Sequence, residues 1–163
     1  MKFKQIFTLL LVGSFHLVLS QTKMIEFTNT LKTTGSNTKI KDVIPIVNDI
    51  SNELALFLAD PKNVYGYTFD SEFQITEKLA FPAKKRKYKT LIGNSISENQ
   101  DYRVFLTNKK KTSFLTVNFS FKEGATTSKE FKLQSHGEKF IQTISLDNKF
   151  YLISVDKIKK WNN

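Results

Sequence analysis

Three apolar words recur in this chain at nearly constant spacing, and that recurrence limits the fold more than any other feature. Leu56-Phe57-Leu58-Ala59-Asp60 is matched 48 positions later by Val104-Phe105-Leu106-Thr107-Asn108, and 46 positions later again by Phe150-Tyr151-Leu152-Ile153-Ser154. A polar turn with an acid (Glu53, Asp101, Asp147) precedes each word, and another apolar run precedes each turn. The segments that follow also correspond. Val64–Phe69 lies over Phe114–Phe119, and Phe73-Gln74-Ile75 over Phe131-Lys132-Leu133, after a turn that is longer in the second copy. A fixed period of this kind marks stacked units that are each too small to bury an apolar face alone.

The period within the units is that of strands. From Val43 onward, apolar runs of about five to eight residues alternate with polar turns. Phe, Tyr, Ile, Val and Thr dominate the runs, as a pleated and half-buried surface prefers. Asn48-Asp49, Asp60-Pro61, Asp70-Ser71, Glu123-Gly124 and Asp147-Asn148 are turn formers. No stretch beyond the first 20 residues carries a long helical period. The expectation is an all-β chain of antiparallel four-stranded meander repeats, with period 46–48.

Four short strands at that spacing resemble the blade of a β-propeller, whose repeats run from about 40 to about 50 residues. The kelch double glycine and the WD dipeptide are both absent, so the resemblance is to propellers in general. The competing architecture is a β-sandwich, but it does not require matching words at offsets of 48 and 46. The chain holds two full repeats and half of a third. A propeller needs about four blades or more, so residues 43–163 are expected to be an incomplete β-repeat domain completed by further chain or by association. Residues 21–42 read as an N-terminal strand, Met24-Ile25-Glu26-Phe27-Thr28, followed by a polar linker. The composition, the N-terminus and phrases such as Val104-Phe105-Leu106-Thr107-Asn108-Lys109-Lys110-Lys111 also resemble exported proteins of Bacteroidota.

Export is expected from the N-terminus itself. Met1-Lys2-Phe3-Lys4 is a short basic start, Ile6–Leu19 is mostly apolar, and Val18-Leu19-Ser20 ends on small residues. This is the pattern of a Sec signal peptide cleaved between Ser20 and Gln21. The run is shorter than the ~20 residues that span a bilayer, and no later segment approaches that length. The implied location is periplasm, cell surface or medium. The chain has no cysteine, which excludes disulfides, thiolate metal sites and a cysteine nucleophile.

Candidate chemistry is sparse. There are 25 Lys and Arg against 15 Asp and Glu, a formal net charge of +10. The densest basic cluster is Lys84, Lys85, Arg86, Lys87 and Lys89, in the link between the first two repeats. These five are the candidate polyanion contacts. Lys109-Lys110-Lys111 falls in a hairpin turn, where lysines also guard sheet edges against pairing. Nucleic acid is not an expected partner of an exported chain; a protein or an acidic glycan is. His136, in a polar turn, has no oriented partner of the kind that catalysis needs. No motif for nucleophilic, zinc-dependent or phosphate-binding chemistry is present, and no cofactor, metal or catalytic residue is assigned. Tyr65, Tyr67, Tyr88 and Trp161 are candidates for stacking on a sugar. The expected function is a non-catalytic exported binding or scaffold module, part of a larger propeller. The alternative is a fragment of an exported propeller enzyme acting on glycans.

Overall fold

The structure is a computed structural model, described here for residues 42–133 and 137–156. Ten antiparallel strands make three sheets. Sheet A takes β1 (Asp42–Asn48), β2 (Glu53–Ala59), β3 (Val64–Phe69) and β4 (Ile75–Phe81), in that spatial order. Sheet B repeats the meander with β5 (Tyr88–Ile96), β6 (Tyr102–Asn108), β7 (Ser113–Ser120) and β8 (Ala125–Lys132). Sheet C has two strands, β9 (Glu138–Leu146) and β10 (Lys149–Asp156). The described residues contain no helix.

The recurring words are the second strands, β2, β6 and β10. Register supports the alignment of the first two. Ala59 pairs with Val64 as Thr107 pairs with Phe114, and Asp42 pairs with Ala59 as Thr90 pairs with Thr107. The fourth strand departs from expectation. Val64 pairs with Phe81 and Phe114 with Phe131, so the equivalent of Phe131 in sheet A is Phe81, eight positions beyond Phe73. Phe73 instead sits in the β3–β4 turn at φ +60°. Both outer strands are longer than expected and mostly exposed (Ile75–Lys78 and Thr127–Glu130), so they carry little of the apolar alternation that betrays a half-buried strand.

Successive residues of a strand point to opposite faces, and this arranges the layers. Ala55, Phe57 and Ala59 on the front of sheet A meet Val104, Leu106, Leu115, Val117 and Phe119 on the back of sheet B in one buried cluster. Phe105, on the front of sheet B, stacks on Phe150 of sheet C at 3.8 Å between ring centroids. Sheet B is therefore covered on both faces, and Val104, Phe105, Leu106 and Thr107 are buried in succession. That double cover explains why this word reads as an unbroken apolar run. Gly66 is forced by packing: a Cβ there would lie 2.7 Å from the Phe57 ring and 3.0 Å from that of Phe121.

The turns follow from side chains that replace backbone partners. Asn48 Oδ1 accepts from Ile50 N and Ser51 N, Asp60 Oδ1 from Lys62 N and Asn63 N, Asp70 Oδ1 from Glu72 N and Gln74 N, and Asn108 Oδ1 from Thr112 N. Asp147 and Asn148 form a two-residue hairpin with φ of +49° and +58°, the conformation for which Asp and Asn are suited.

Candidate functional site at the basic end of the sheets

A meander sends alternate turns to opposite ends. The β2–β3 turn, the β4–β5 link and the β6–β7 turn share one end, and Lys84 N donates to Lys62 O across the first two. That end collects Lys62, Lys84–Lys87 and Lys109–Lys111. The opposite end carries the β1–β2, β3–β4, β5–β6, β7–β8 and β9–β10 turns. There sit Asp49, Glu53, Asp70, Glu72, Glu98, Asp101, Glu123 and Asp147, against Lys122 and Lys149. The fold thus sorts charge by end, although neither cluster is contiguous in sequence.

The five candidate cations do not share one role. Lys84 is buried and donates from Nζ to Tyr88 O at 2.6 Å and Pro61 O at 3.3 Å. Burial lowers its pKa to about 8, against the opposing pull of Asp60. It clamps the link between sheets A and B and is not exposed to an external anion. Lys85 and Lys87 reach Glu130 on β8 at 2.7 and 3.4 Å. Lys85 is the main cause holding Glu130 down at about 2, with Tyr88 next and Lys87 adding to them. Lys87 also lies 4.6 Å from the Tyr88 ring centroid, and its pKa is raised by Tyr88 first and Glu130 after it. Arg86 and Lys89 are exposed and form no ion pair among the described residues.

Lysines 109–111 share this end with Arg86, which the spacing of the two clusters in the sequence does not reveal. All three are exposed, and Lys111 lies 4.9 Å from the Phe140 ring centroid. Asp60, in the β2–β3 turn, is a carboxylate at the same end. Burial alone would raise its pKa, but hydrogen bonds from Lys62 N, from Asn63 and from the Tyr65 hydroxyl overcome this and hold it low. Burial and Asp60 together push Tyr65 up to about 12.

The tyrosines do not form a sugar platform: Tyr67 and Tyr88 are buried. Trp161, His136, the signal peptide and the strand expected at Met24–Thr28 lie outside the described residues. The recurring acids serve the fold. Glu53 Oε2 accepts from Ser51 Oγ and Tyr102 OH, and Asp101 Oδ2 accepts from Asn118 Nδ2. Among the described residues no three His, Cys, Asp or Glu side chains are placed to hold a metal ion, and no helix is long and apolar enough to cross a membrane. No family model, curated protein or solved structure matches the chain.

Proposed function

We propose that this chain is an exported, non-catalytic binding module, built of propeller-like blades, whose basic end engages an acidic glycan. The sorting of charge carries the reading: exposed Arg86 and Lys109–Lys111 on turns, with Lys89 at the start of β5, gather at one end, away from most turn carboxylates. Turns on a rigid sheet scaffold are where binding residues concentrate, and a one-signed surface attracts an oppositely charged partner over about a Debye length. Repetition of the four-stranded meander and its stacking in one direction support the blade reading. The signal-like N-terminus supports export.

The test is binding of a fluorescent heparin oligosaccharide, with neutral dextran as control. Heparin binding should weaken steadily with salt. The triple variant Lys109→Ser, Lys110→Ser, Lys111→Ser should lose about tenfold in affinity, the sum of three exposed charge contacts of about 0.5 kcal/mol each. Lys122→Ser, at the acidic end, should lose nothing. Equal retention of heparin and dextran, or equal losses in both variants, would sink the proposal.

A further inference from the structure

The three sheets pack in one repeated sense, front of A on back of B and front of B on back of C. The same central position of the second strand records how far the series runs. Phe57, on the front of sheet A, is 0% exposed beneath sheet B, and Phe105 is 9% exposed beneath sheet C. Tyr151, their counterpart on the front of sheet C, is 47% exposed. Ile144 pairs with Tyr151 on that face, and Leu146, Ile153 and Val155 extend it. Together these five make an exposed apolar patch, bordered by Lys149, Gln142 and Lys139, and patches of this kind mark contact surfaces.

The other end of the series matches it. The back of sheet A presents Leu54, Leu56 and Leu58 at the positions of Tyr102, Val104 and Leu106, the residues through which sheet B meets sheet A. On β1 the same face leaves Val43 and Val47 exposed, at 52% and 63%. On the β3 side Tyr67 and Phe69 are already buried. Leu58 is also buried, at 5%, so the open part of this face spans β1 together with the half-buried Leu54 and Leu56 of β2, and sheet C is likewise two strands wide.

We infer that two copies of this chain close head to tail, with the front of sheet C in each covering the β1–β2 half of the back of sheet A in the other. The inference rests on the blade reading above. The ring has six sheets, within the roughly four to eight that propellers use. It forms two identical junctions, and the second closes as an intramolecular step once the first has formed. Phe105 meets Phe150 at the existing junction, and Leu56 is the sheet A equivalent of Phe150. Tyr151 of one copy is thus placed against Leu56 of the other.

Light scattering on a sizing column should give a dimer for the purified protein. Tyr151→Lys and Val47→Lys, both at exposed positions, should each give a folded monomer with unchanged circular dichroism. An equimolar mixture of the two should regain dimer, because it restores one unaltered junction. The absence of cysteine allows a direct test of the pairing. Under mild oxidation, Leu56→Cys mixed with Tyr151→Cys should cross-link, and neither variant should cross-link alone. A folded wild-type monomer, polymers that lengthen with concentration, or cross-linking of Tyr151→Cys by itself would overturn the inference. A monomer that still binds heparin rejects the ring alone, and a dimer that ignores heparin rejects the binding reading alone.

Discussion

Sheet B meets sheet A and sheet C through two differently built surfaces. Toward sheet A the contact is a broad apolar cluster: Phe57 lies 5.0 Å from Phe119 and 5.8 Å from Tyr102 by ring centroid, among buried residues drawn from six of the eight strands of the two sheets. Asn48, Glu53 and Asp42 add hydrogen bonds to Tyr102 and Leu91. Toward sheet C the apolar contact narrows to Phe105 on Phe150 and Phe114 beside Phe140. Hydroxyls supply the rest. Thr143 Oγ1 donates to Ile92 O, and Ser145 Oγ both accepts from Asn94 N and donates to Asn94 O. These side chains occupy backbone groups at the free edge of β5, where pairing with a foreign strand would otherwise begin. The comparison shows one repeat unit serving two purposes: the A–B junction is a core, and the B–C junction is a docked layer that should open first.

The largest effect should come from the aromatic core. Phe57→Ala removes a fully buried ring between two sheets that cannot close over the space, and should cost about 3–5 kcal/mol in urea unfolding. Phe105→Ala should cost less, because sheet C can settle toward sheet B. Equal losses would mean that the two junctions do not differ as described.

A smaller and more local effect is expected at Gly93. A Cβ there would lie 2.6 Å from the Phe150 ring and 2.9 Å from Ser145 Oγ, and the ring is held from behind by Phe105. Gly93→Ala should cost about 1–3 kcal/mol by overpacking. The loss should appear by hydrogen exchange in β9 and β10, with β2, β3, β6 and β7 still protected. Uniform loss across all strands would show that sheet C is not a separate cooperative layer.

Much of this architecture is legible in the sequence because burial leaves apolar words behind. β2 and β6 are packed where the words are longest, and their spacing is the spacing of the sheets. β4 and β8 are legible only in part, since an outer strand open to water needs no apolar period, and Phe73 misleads because a turn holds it. The basic cluster of the candidate site is visible as a run of charge, but its uses are not. Nothing local to Lys84 shows that it folds inward onto Pro61 O, or that Glu130, some forty positions on, neutralises its neighbours. Nor can spacing alone place Lys109–Lys111 at the same end as Arg86; the antiparallel pair β5 and β6 between them does that.

The mildest probe acts on the covalent link that spans the A–B junction. Lys84 ties that link to sheet A through Pro61 O and to sheet B through Tyr88 O. Its pKa is lowered from 10.5 to about 8 by burial. Below about pH 8 both folded and unfolded chains hold the proton, and the charge is buried at the same cost throughout. Above it the folded chain releases the proton while the unfolded chain keeps it until about 10.5, so the unfolded state binds more protons and stability rises with pH. A neutral amine keeps two donors, which match the two carbonyls it meets. Between about pH 7 and about pH 9 the gain should be about 1 kcal/mol. Stopping near pH 9 leaves Tyr65, raised to about 12, largely protonated in both states. Lys84→Met should flatten this rise in unfolding free energy. A variant that keeps the full slope would assign the pH dependence to another group and leave the A–B link without its clamp.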